Sequence, residues 1–101
     1  MRFLVIAQSP PGKFNAATRD GTAGQKLHAI IEDIGPEAVY FTEIEGMRTC
    51  MLVVDMEDAS QIPSLAEPFF LTFESKVSFH PIMSPEDLGK AGLEELGKKW
   101  G

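Results

Sequence analysis

The chain has 101 residues, 44% of them hydrophobic and 24% charged, enough for one domain to bury a core without metal or disulfide staples. Its formal charge of -6 repels phosphate backbones and anionic lipid surfaces, so neither nucleic acid nor membrane is an expected partner. No apolar run approaches the roughly 20 residues that cross a bilayer.

In chain order, Arg2 to Gln8 is rich in β-favouring residues and reads as a first strand. Its apolar part, Phe3 to Ala7, falls short of the roughly 7–15 residues of a secretory signal core. Ser9-Pro10-Pro11-Gly12 ends the strand and predicts a loop. From about Thr22, the residues Ala23, Leu27, Ile30, Ile31 and Ile34 recur at helical spacing until Gly35 and Pro36 stop the run. Glu37 to Glu45 and Met47 to Met56 are strand-like runs divided by Gly46, which predicts a hairpin with Glu45-Gly46 in its turn.

Asp58-Ala59-Ser60 caps a second helix that carries Ile62, Leu65, Ala66, Phe69 and Phe70. Pro63 suits its first turn, whereas Pro68 predicts a break near Glu67 and an irregular stretch from Phe69 to Phe73. Lys76 to Ile82 alternates Val77 and Phe79 against Ser78 and His80 as a last strand. Ser84-Pro85-Glu86-Asp87 then opens a tail helix through Trp100. Gly89, Gly92 and Gly97 weaken that helix, so it needs a docking surface.

Strand, helix, strand, strand, helix, strand with a central hairpin is the split β-α-β order of the ferredoxin-like fold. The class is α+β, with an antiparallel sheet in order 4-1-3-2. Residues 1–101 form one domain, and residues 85–101 are a helical extension of it. Val39, Phe41, Cys50, Leu52, Val54, Val77 and Phe79 are expected to meet the helices. The opposite face is expected to carry Phe3, Val5 and Ala7, then Tyr40, Thr42 and Ile44, then Thr49, Met51 and Val53, and finally Ser78, His80 and Ile82. A face this apolar predicts a cover. The cover is a second copy enclosing a pocket, the tail helix through Leu93, Leu96 and Trp100, or both where the tail reaches the partner subunit.

The layout from Met1-Arg2-Phe3-Leu4-Val5 to Val77-Ser78-Phe79-His80-Pro81-Ile82, a strand ending in a Pro-containing turn before an acidic tail, resembles the dimeric α+β barrel superfamily. Within it, the layout is nearest to the uncharacterised small bacterial families. The resemblance implies a homodimer with an enclosed cavity. Because the superfamily includes muconolactone isomerases and cofactor-free monooxygenases, it also implies a cofactor-free isomerase or monooxygenase as the enzymatic alternative.

The expected ligand is a small, partly apolar molecule held by Tyr40, Thr42, Thr49, Met51, Ser78 and His80. His80 and Tyr40 are the candidates for proton transfer, and they would meet more readily across a dimer than within one chain. No cofactor is expected. His28 and Glu32 share a helix face, but two ligands do not make a metal site. Ser9 to Lys13, with Arg19 beyond, would form a mobile lid offering a cation to an acidic group. Arg48 is expected to pair with Glu43 or Glu45 across the hairpin. The lone Cys50 reads as a packed thiol, which points to a reducing, cytoplasmic setting. A third reading is an interaction module without a ligand, whose tail docks a larger partner. RNA recognition is disfavoured, because Met47 to Val54 supplies no stacking aromatic.

Overall fold

A computed structural model describes residues 1–101. Strand β1 (Arg2–Ser9) is followed by helices α1 (Pro11–Asp20) and α2 (Ala23–Ile34), the hairpin strands β2 (Ala38–Ile44) and β3 (Met47–Asp55), helix α3 (Ile62–Phe73), strand β4 (Lys76–Pro81), and the tail helices α4 (Pro85–Gly89) and α5 (Leu93–Trp100). A capping box leads into α3, with the Asp58 carboxylate accepting from the Ser60 N–H and the Gln61 side chain accepting from the Glu57 and Asp58 N–H groups. The hairpin turn is Glu45-Gly46, both at positive φ (57° and 74°), as a two-residue turn matched to strand twist requires.

The sheet is antiparallel throughout, in order β2-β3-β1-β4, the ferredoxin-like arrangement. It is also open, and this corrects the dimeric α+β barrel expectation. β2 and β4 are free edges, and the pairing of β1 with β3 runs through eight consecutive positions from Arg2 with Asp55 to Ser9 with Arg48. Curling a sheet toward closure takes bulges or kinks that interrupt such a register.

The register places Val5 opposite Leu52 and Phe79, and Ala7 opposite Cys50 and Val77. Phe3, Val5 and Ala7 therefore face the helices, and Leu4, Ile6 and Gln8 supply the other face. The sequence expectation had this strand reversed. β1 is a central strand with apolar residues at both parities, so alternation alone cannot orient it. Behind the helix-facing side lies the core, centred on Val5, Leu52, Phe69 and Phe73. Phe14 stacks on Phe73 at 4.5 Å between ring centroids.

Two helical expectations are also corrected. Ser9 to Gly12 is not a loop: Pro10 is the extended residue before α1, and Pro11 occupies its first turn, where a missing N–H costs nothing. Helix α3 does not break at Pro68 but continues to Phe73. Ala66, Phe69 and Phe73 are all buried on one stripe, and their burial offsets the backbone bond that proline forfeits.

The tail is two short helices rather than one. Gly92 sits at φ 72°, a left-handed conformation that interrupts the helix before α5. Every residue from Pro85 to Gly101 is exposed. The radius of gyration is 16.9 Å and the long axis 59 Å, whereas a compact chain of this length has a radius near 13 Å. The tail thus stands away from its own sheet, against the alternative in which it covers that face within one chain. No helix is long and apolar enough to cross a membrane.

Candidate functional site

All six residues expected to hold a ligand lie on the sheet face away from the helices. Cross-strand pairing lines up Tyr40, Met51, Ile6 and Ser78 in one row, Thr42, Thr49, Gln8 and Lys76 in the next, and Ala38, Val53, Leu4 and His80 on the other side. Leu4, Ile6, Met51 and Val53 thus form a half-exposed apolar centre. Tyr40, 65% exposed, stands at one edge, and the exposed His80 stands at the other. Strands lie about 4.8 Å apart, so these edges are roughly 14 Å from each other and cannot close on a small molecule within one chain.

His80 Nε2 is 3.0 Å from Ser78 Oγ. An imidazole beside a hydroxyl can hold a carbonyl, hydroxyl or carboxylate, and no carboxylate is hydrogen-bonded to its other nitrogen to fix it as a general base. Thr49 is buried and donates to the Met47 carbonyl at 3.0 Å. Gln8, also buried, donates to Glu45 Oε1 at 3.2 Å and so ties the hairpin turn to β1. Of the six expected ligand residues, only Thr42 and Thr49 border one of the larger cavities, and that one lies on the helix side; Tyr40, Met51, Ser78 and His80 border none of them. As a single chain, the open face has a floor but no roof.

A walled cavity of about 210 Å³ lies on the helix side, between α1, α2 and the hairpin. Phe14, Leu27, Phe41 and Phe69 form its apolar wall, with Cys50 below and Arg48 at its side. Phe41 is 59% exposed although its strand neighbours Cys50 and Leu52 are buried, because the helices leave this end of the edge strand uncovered. Burial pushes the Cys50 thiol up to about 11, so it is a packing group here rather than a nucleophile.

Arg48 departs from its expected ion pair. Its Nη1 donates to Asn15 Oδ1 at 2.7 Å, and its guanidinium lies 4.6 Å from the centre of the Phe14 ring. Glu43, directly across the hairpin, instead accepts from the Gly46 N–H at 3.0 Å, and Glu45 accepts from Gln8. Sequence reading missed this cavity because it missed α1, which supplies Phe14 and Asn15. The signal available was Pro11 followed by Phe14 and Ala17 at helical spacing.

Lys13 lies on α1 rather than in a mobile lid, bridging Glu74 at 3.5 Å and donating to the Leu71 carbonyl at 3.4 Å, while Arg19 sits in the last turn of the same helix. His28 and Glu32 approach to 3.4 Å with both side chains exposed, and no third ligating side chain is gathered with them. A second cavity, of about 300 Å³, is lined by Asp33, Glu37 and Asp55 between the end of α2 and the start of α3. Two of these carboxylates are already engaged, Glu37 by Arg2 at 2.9 Å and Asp55 by the terminal amine at 3.0 Å.

Compared with protein-family models and with curated proteins, the chain matches none of them. It is a small ferredoxin-like α+β domain with helical additions at its carboxyl end, one bare sheet face, and a walled apolar cavity beside an arginine.

Proposed function

We propose that this chain is a small-molecule-binding module that works as a homodimer, in which the tail of one copy lies across the open sheet face of the other. The observation that carries the reading is a pair of unpartnered apolar surfaces in one small molecule. Leu4, Ile6, Met51 and Val53 form the half-exposed centre of the sheet, and Leu88, Leu93, Leu96 and Trp100 are exposed on a tail that extends away from it. Both surfaces are apolar, and reciprocal exchange between two copies removes both from water with one twofold contact. Open sheets with free edges are retained in this assembly.

Roofing the sheet in this way leaves the smaller polar residues Thr42, Thr49 and Ser78 beside Met51 as the lining of a residual space. Tyr40 at one edge and His80 at the other, about 14 Å apart, each offer a polar anchor at one end of that space for a small, partly apolar ligand. Native mass spectrometry of the purified protein tests both halves of the reading in one spectrum. The expected result is a dimer with an additional mass that organic solvent removes. A monomer at micromolar concentration overturns the dimer, and a dimer that never takes up extra mass from a cell extract overturns the ligand.

A further inference from the structure

The cavity on the helix side differs in chemistry from the sheet face. Phe14, Leu27, Phe41, Cys50 and Phe69 give it an apolar wall, Ser9, Thr42 and Thr49 border it with small polar groups, and one cation, Arg48, stands beside them. An apolar cavity of about 150 Å³ admits benzene, so the 210 Å³ here accommodates one ring or a short alkyl chain with a polar arm. Phe41, with its outward exposure, provides a ring on which such a group packs, and Phe14 and Phe69 border the space beside it.

The guanidinium determines what the polar arm must be. Arginine carries five N–H donors in a planar fork, and Asn15 occupies one direction of it while the Phe14 ring holds the plane in place. No carboxylate of the chain lies within ion-pair distance of Arg48, including Glu43 opposite it, which is engaged by the turn backbone. A cation fixed in position, with spare donors and no counter-charge, beside an apolar cavity of this size is complementary to a carboxylate on a small apolar body.

We propose that this cavity is a second binding site, selective for small aryl or alkyl carboxylates, with the apolar body among Phe14, Leu27, Phe41 and Phe69 and the carboxylate on Arg48. The site belongs to one chain and lies on the opposite side of the sheet from Tyr40 and His80, so it does not depend on pairing of subunits.

Phenylacetate, with phenylacetamide as its neutral counterpart, is the probe, and amide chemical shifts of the full chain are the readout. Saturable shifts are expected at Phe14, Leu27, Phe41, Arg48 and Cys50, with phenylacetamide and the Arg48→Gln variant each binding about tenfold more weakly. The exposed Arg48→Gln change leaves the core residues untouched, and unaltered shifts at Val5, Leu52 and Phe73 verify its fold. Phe41→Ala is expected to weaken both probes alike, because it removes apolar wall and leaves the cation. No saturation up to about 20 mM phenylacetate overturns the site. Equal affinity for acid and amide, or shifts confined to Tyr40, Met51 and His80, overturns it as well.

Discussion

Cys50 shows how far a single residue can be read from its neighbours. It sits in an apolar run without a basic partner, and the structure buries it with its thiol pushed up to about 11. Burial and the raised thiol both protect it, so iodoacetamide at about pH 8 is expected to leave Cys50 unmodified in the folded protein and to label it fully in denaturant. Rapid labelling of the folded chain would contradict the packing described. His80 carries the opposite expectation. His80→Ala removes an exposed imidazole and its bond to Ser78, so it should weaken capture of the ligand proposed for the sheet face by about tenfold while leaving the subunit count unchanged in the same spectrum. Unaltered capture removes His80 from the site. The alternation of β2, β3 and β4 made their helix-facing residues legible, and with them the row that holds Tyr40, Met51 and Ser78. The orientation of β1 was not legible, because Leu4 and Ile6 are as apolar as Phe3 and Val5.

Among the elements, those with end signals and a strong stripe were the readable ones: α2 between Thr22 and Gly35, and the hairpin around Gly46. α1 was hidden by Pro10-Pro11, which ends a strand and begins a helix with the same residues, and Pro68 concealed the second half of α3. Because Pro68 removes one helical bond in a helix held by Phe69 and Phe73, Pro68→Ala is expected to raise unfolding free energy by about 1 kcal/mol, measured by urea denaturation. A loss of stability would mean that the half-buried proline ring packs better than the recovered bond is worth. The first tail helix has a pH expectation. Asp87 accepts from the Ser84 N–H, which holds its carboxyl below the ordinary value, with Arg2 adding to the effect. A folded value below the unfolded one means that the cap contributes above about pH 4 and is lost as pH falls through the folded value. Amide shifts of Pro85–Gly89 neighbours should therefore drift toward random coil in acid before those of β1 and β3 do. Simultaneous loss would tie the tail to the core more tightly than its exposure allows.

At the scale of the whole molecule, the sequence carried the strand order, which follows from the order of its strand and helix patterns. It did not carry the direction of the tail, since Gly92 at φ 72° turns α5 in space without altering its apolar spacing. A sheet with a bare apolar centre and a detached amphipathic tail that leaves Trp100 79% exposed is the central physical fact of this chain. In the proposed exchange of tails between two copies each surface covers the other, and on that proposal Leu96→Asp together with Trp100→Ser should abolish pairing while the sheet stays folded. The most direct test is sedimentation equilibrium of the full chain beside that double variant, at about 50 µM where an interface of ordinary strength is saturated. The account predicts twice the 11.1 kDa chain mass for the native sequence and the single mass for the variant. A native chain that sediments at the single mass, or a variant that still pairs, would contradict it.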